Sequence, residues 1–214
     1  MKVQSTALLL TTAYFPPVQY FSLIRDYNEV FIEKHENYCK QTYRNRCNIL
    51  SANGVLPLVI PVKRFRGRKT PVSEIKADNS YNWQRLHRIS IESAYRSAPF
   101  YEYYFDDIRP FMEKKYNYLL DLNSEILDKL LSVLKLPANW QFTSSFIEGV
   151  PPGMVDMRDR IHPKPAKRDK ENIFNHKEYI QVFAGRHGFC KNLSILDLLF
   201  NTGPDAVSYL AGTA

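Results

Sequence analysis

Ala7 to Thr12 is an apolar run closed by Tyr14-Phe15-Pro16-Pro17, and this junction limits the architecture more than any other stretch. Each proline fixes its own φ and biases its predecessor away from helix, so a buried first strand must give way to an extended turn. A short helix from Val18 or Phe21 to Tyr27 then returns the chain to a strand beginning at Val30. That is a β-loop-α-β start, with the proline turn at the C-terminal end of the first strand. Ligands bind at that edge of open α/β sheets, which makes Tyr14, Gln19 and Tyr20 candidate binding residues; the alternative is that the aromatic pair only staples the turn.

The rest of the chain sorts by periodicity. Ala52-Asn53-Gly54 signals a turn before a strand from Val55 to Val62, where Pro57 and Pro61 argue for an edge position or a strand with irregular ends. Val72 to Ala77 reads as another short strand. From Trp83 the pattern is helical, with Trp83, Leu86, Ser90, Ser93 and Ala94 recurring at three and four. Ser97 and Pro99 suit the start of a second helix running to about Leu120. Asn123 or Ser124 caps a third, whose stripe of Ile126, Leu127, Leu130, Leu131 and Leu134 is core. Gly149 to Asn175, with four prolines, reads as a long ordered loop or lid, Tyr179 to Ala184 as a last strand, and Leu193 to Phe200 as a helix capped by Ser194 and stopped by Gly203. The expectation is a single domain over residues 1–214, α/β or α+β, with strands first, helices in the middle, and a short strand and helices at the end.

Chemistry concentrates in Phe31 to Leu50. Read as a strand from Val30 to Tyr38, the segment places Phe31, Glu33, His35 and Asn37 on one face. A second extended run from Tyr43 to Leu50 places Arg44, Arg46 and Asn48 on one face, and pairing of the two runs brings carboxylate, imidazole and guanidinium together. His35 is the candidate base, because imidazole titrates near neutrality, with Glu33 or Glu36 as its orienting partner. Asn37, Tyr38 and Asn45 are candidates for holding a polar acceptor, and Arg44 and Arg46, with Lys40 nearby, for a phosphate or carboxylate. The competing explanation is two solvated edge strands with an internal ion pair to Glu33 or Glu36. Trp83 and His87, one helical turn apart, are further binding candidates, although a mid-helix histidine is more often packed or exposed.

The formal net charge of +7 favours an anionic partner: a nucleic acid, an anionic membrane surface or a phosphorylated metabolite. Basic residues gather at Lys63, Arg64, Arg66, Arg68 and Lys69, and at Lys164, Lys167, Arg168 and Lys170. They are dispersed and interrupted by acids, which argues against nucleic acid. Cys39, Cys47 and Cys190 form no CxxC or metal-ligand spacing, so free thiols are expected, with no metal and no cofactor. No stretch reaches the ~18 apolar residues of a membrane span and no secretory leader is visible, so a cytoplasmic location is expected.

Several segments together resemble the WbqC-like proteins of bacteria: Tyr14-Phe15-Pro16-Pro17 with Gln19-Tyr20-Phe21, then HENYCKQTYRNRC from His35 to Cys47, Trp83 with His87, Ala94-Tyr95 with Ala98-Pro99-Phe100, and KNLSILDLLFNTGPDAVSYL from Lys191 to Leu210. They occur in order over nearly the whole chain, with Ala13-Tyr14 where many members carry QP. The resemblance implies a role in O-antigen or other surface-polysaccharide biosynthesis, where amino sugars are made and decorated. Two classes follow: a transferase adding an acyl or aminoacyl group to a nucleotide-linked or lipid-linked amino sugar, or a non-catalytic binding or assembly factor of the same pathway.

Overall fold

A computed structural model describes residues 7–63, 69–137, 139–164 and 177–211. Arg64, Arg66, Arg68, Lys167, Arg168 and Lys170, and the later part of the expected loop or lid, lie outside the described residues. The architecture is α/β, built on a four-stranded parallel sheet in the order β5-β2-β1-β6. Strand β1 (Ala7–Thr11) sits inside this sheet and is buried along its whole length, as an unbroken apolar run requires when both faces are covered. Helix α1 (Val18–Asp26) carries the chain back to β2 (Glu29–Glu33), confirming the β-loop-α-β start.

Strand β2 is shorter than expected, and it does not pair with the run after Tyr43. Its last side chain turns back on its own backbone, Glu33 Oε1 accepting from the His35 amide at 2.8 Å, and this breaks the strand before His35. Tyr43–Asn45 is a 3-10 turn. It leads into β3 (Arg46–Ser51), which forms an antiparallel hairpin with β4 (Gly54–Val59) across the Ala52-Asn53 turn, a two-stranded sheet separate from the first. The Ile60 amide donates to the Asn45 carbonyl, so even-numbered amides of β4 face β3 and the missing amide of Pro57 faces the open edge.

Val72–Glu74 is a 3-10 turn rather than the start of a strand, followed by isolated bridges from Lys76 to Tyr118 and from Ala77 to Val62. In α2 (Trp83–Tyr95) the buried face is Trp83, Gln84, His87, Ile91, Ala94 and Tyr95, while Leu86 is 64% exposed. Polar residues displace the expected apolar one because they find partners inside: His87 bonds Tyr14 and Gln84 bonds Asn79. The expected helix from Pro99 to Leu120 is broken. Helix α3 (Tyr101–Ile108) has no side-chain cap and passes into a 3-10 turn, Arg109–Met112, where Pro110 lacks the amide that a continuing helix needs. Helix α4 (Leu119–Val133) begins before both expected caps, and its leucine stripe is buried.

Two short strands complete the parallel sheet: β5 (Trp140–Phe142) beside β2, and β6 (Met154–Asp156) beside β1, the latter inside the proline-rich stretch read as loop or lid. The expected strand from Tyr179 to Ala184 is absent. Gln181 there is pinned by side-chain bonds to Cys190 and Asp197, and α5 (Ala184–His187) follows. Helix α6 (Ile195–Thr202) has its Ser194 cap and stops at Gly203, which has φ 56° and packs so tightly that a β-carbon there would lie 2.5 Å from the Phe100 ring. Helix α7 (Ala206–Leu210) closes the fold, and buried apolar residues from Leu8 to Leu210 form one contiguous cluster.

Candidate functional site

Because the four strands run parallel, all of them end on one edge, which brings together Thr11, Glu33, Thr143 and Asp156 with the residues that follow each strand. The chain builds outward from β1 through β2 to β5 and then crosses back to β6 on the other flank of β1. In open α/β sheets such a reversal is where ligands bind, outside the carboxyl ends of the strands.

Two buried carboxylates organise this edge. Glu36 takes both arms of the Arg44 guanidinium, from Nε at 2.8 Å and Nη2 at 2.6 Å, and its Oε1 also accepts from the Thr11 hydroxyl at 2.5 Å. Burial alone would lower the Arg44 pKa, but the hydrogen bonds and charge of Glu36 hold it above the usual value. The carbonyl of Arg44 accepts from Asn123 Nδ2 at 2.8 Å, which is why Asn123 turns inward instead of capping α4.

Glu33 is fully buried. Its Oε1 accepts from the His35 amide at 2.8 Å and the Thr143 hydroxyl at 2.7 Å, its Oε2 accepts from the Ile147 amide at 3.0 Å, and Arg158 Nη1 stands 3.7 Å away. Arg158 also grips Asp156, with Nη2 to Oδ2 at 2.6 Å, and donates to the Ile147 carbonyl at 2.9 Å. Burial opposes ionisation of Asp156, yet Arg158 holds its carboxyl below the usual range. Both carboxylates thus lie on the Arg158 guanidinium, and the charge of Arg160 adds to the pull on Asp156.

On this framework the His35 ring is half-buried, its Nε2 3.2 Å from the Thr143 carbonyl. Asn37, Cys39 and Lys40 are exposed, and Tyr38 is half-buried with its hydroxyl pKa raised to about 12 by burial against the opposing pull of Arg46 and Arg44. Arg46, on β3, is half-buried, and its buried Nε has no partner among the described residues. Asn45 donates from Nδ2 to the Ile60 carbonyl at 2.8 Å, a contact that ties the 3-10 turn to β4.

The other sequence candidates lie in the interior. Tyr14 is fully buried and its hydroxyl contacts His87 Nδ1 at 2.9 Å, with Trp83 edge-on to both rings. Burial lowers the His87 pKa to about 4, against a hydrogen bond with the Val59 backbone. Tyr20 donates to the Thr11 carbonyl at 2.9 Å. Gln19 forms a reciprocal pair with Asn192: its amide donates to Asn192 Oδ1 at 3.0 Å, and Asn192 Nδ2 donates to Gln19 Oε1 at 3.1 Å. The Val18 amide is taken by the Leu193 carbonyl at 3.0 Å, so the open amides of α1 are filled by the chain itself.

Sequence reasoning passed over Thr11, Thr143, Asp156, Arg158 and Asn192. The Asp156-Met157-Arg158 spacing was visible, but nothing local marks Asp156 as a strand end. Among the described residues, no three His, Cys, Asp or Glu side chains come together as metal ligands would, and no helix is long and apolar enough to cross a membrane.

The molecule is thus an α/β protein whose parallel sheet presents a cross-braced polar edge. Residues 12–154, about two thirds of the chain, match the WbqC-like protein family, and the chain belongs to that family. It is also similar to Uncharacterized protein Rv1507c of Mycobacterium tuberculosis, 25% identical over 228 residues that cover 94% of this chain and 96% of the relative. No solved structure matches.

Proposed function

We propose that the chain is a group-transfer enzyme acting in surface-polysaccharide biosynthesis, passing an acyl or aminoacyl group to an activated amino sugar that is nucleotide-linked or lipid-linked. The observation that carries the reading is a contrast between neighbours: Arg44 is neutralised by Glu36, whereas Arg46, close enough for its charge to act on the Tyr38 hydroxyl, and the His35 ring keep unfilled hydrogen-bonding capacity among the described residues. A half-buried guanidinium with no acid paired to it among the described residues is costly to keep and suits a phosphate group of the substrate.

In this mechanism the acceptor nitrogen or oxygen attacks the activated carbonyl, its proton passes to His35, and the donor's leaving group departs with the bonding pair. Direct transfer is preferred to a covalent intermediate, since Cys47 is buried with its thiol pKa raised by burial, and no base hydrogen-bonds the exposed Cys39 thiol among the described residues. The reading takes the chain as one domain working in the cytoplasm. Its support is the contiguous core for the first and the nucleotide-linked or lipid-linked acceptor for the second.

Calorimetric titration with nucleotide-linked amino sugars tests it. Arg46→Ala should weaken binding by on the order of tenfold or more, the scale of one charge-assisted hydrogen bond. Unchanged affinity in the folded variant removes the phosphate contact. Profiling a deletion strain should reveal one accumulating activated amino sugar; binding without turnover by the wild-type protein would instead favour the non-catalytic binding or assembly role.

A further inference from the structure

We infer that Glu33 and Thr143 are positioning residues that fix His35 with its proton on Nε2, leaving Nδ1 as the nitrogen that accepts the proton. The inference rests on the reading of His35 as the base, but its geometry stands apart from the identity of any substrate. The Thr143 carbonyl has no proton to give, so its 3.2 Å contact with His35 Nε2 is a hydrogen bond only when Nε2 is the donor. Nδ1 then carries the lone pair, and it has no protein partner among the described residues.

Three links hold that carbonyl and the ring in register. The Thr143 amide donates to the Ile32 carbonyl at 3.1 Å, which continues the pairing of β5 with β2. Its hydroxyl donates to Glu33 Oε1 at 2.7 Å, and the same oxygen takes the His35 amide at 2.8 Å. Glu33, Thr143 and His35 therefore close a ring of contacts in which side-chain and backbone positions of the histidine are set by one carboxylate. That carboxylate is itself held by the Ile147 amide at 3.0 Å and by Arg158. Glu33 is thus an orienting partner, but it acts through the backbone and through Thr143 rather than by touching the imidazole.

Nitrogen-15 NMR of histidine-labelled protein tests this without a substrate. His35→Gln identifies the His35 signals among the five histidines, its side-chain amide still able to donate to the Thr143 carbonyl. The neutral wild-type ring should show a resolved Nε2 proton and an unprotonated Nδ1. Thr143→Val removes the hydroxyl link and should lose the resolved Nε2–H resonance through tautomer exchange; Thr143→Ser should restore it. A proton on Nδ1, exchange-averaged nitrogens in the wild type, or a Thr143→Val spectrum identical to wild type would overturn the proposal. A locked Nε2–H tautomer in a protein that transfers nothing would keep the positioning and retire the transferase reading. Averaged nitrogens in an active enzyme would do the reverse.

Discussion

The turn after β1 and the loop after β2 leave the same sheet edge, and both are dense in hydrogen-bonding side chains, yet only one stays open. After β1, Tyr14, Gln19 and Tyr20 are buried, and the amides at the start of α1 are filled by Asn192 and Leu193 from the far end of the chain. After β2, buried carboxylates brace the loop while His35, Asn37, Cys39 and Lys40 reach solvent to differing degrees. A helix N-terminus beside a parallel strand is a usable anion site only while its amides are free. Here the chain supplies its own acceptor, and the proposed chemistry lies one strand over.

The largest effect should come from breaking the brace of the open side. Glu36→Ala strands the Arg44 guanidinium, 2% exposed, without its carboxylate and takes the acceptor from Thr11. A loss of about 3–5 kcal/mol is expected in urea unfolding. Adding Arg44→Met to Glu36→Leu should recover most of it, since an apolar pair of similar volume leaves no buried charge. A loss below about 1 kcal/mol for Glu36→Ala would mean that the brace is solvated and the two sides are less different than described.

On the sealed side, pH is the sharper tool. His87 has a pKa of about 4 in the native state because burial disfavours the imidazolium. An unfolded histidine titrates near ~6.5, so between those values the unfolded chain binds the extra proton and stability rises with pH. The neutral ring's contribution is fully present above about pH 6.5 and is lost as pH falls toward 4. A gap of roughly two and a half pH units corresponds to about 3 kcal/mol at full extent. His87→Gln does not titrate, so the stability difference from wild type should change by about that much between pH 7 and pH 4. A difference that stays constant would place His87 in contact with water.

The sequence made the β-loop-α-β start, the leucine stripe of α4 and the Ser194 cap legible because each follows from periodicity or local turn chemistry. The end of β2 was not legible. Alternation continues through Asn37, and only the return of the Glu33 carboxylate onto the His35 amide ends the strand. The Glu36–Arg44 pair was foreseen as one of two outcomes, since composition cannot say whether an arginine meets a ligand or a neighbour. Strand β6 was hidden by its three-residue length among prolines and glycines. Trp83 and His87 stood out as an aromatic and a histidine at helical spacing, a pattern common to core and site alike, and their partner Tyr14 lies far away in sequence.

The smallest expected effect tests the seal itself. Asn192 sits in the left-handed region at φ 55°, and this lets its side-chain amide face both the backbone and the side chain of Gln19. Asn192→Gly keeps that backbone freely available, so it isolates the loss of the two hydrogen bonds. With the Gln19 amide left buried and unpaired, the cost should be about 1–3 kcal/mol. Asn192→Ala loses the same bonds and must also hold a β-carbon in the left-handed region, which adds roughly 1 kcal/mol. Thermal or urea unfolding of the two variants side by side reads both quantities. Equal losses would show that the backbone there relaxes once the side chain is gone, and a Gly variant as stable as wild type would mean that water replaces Asn192 and that the turn after β1 is open after all.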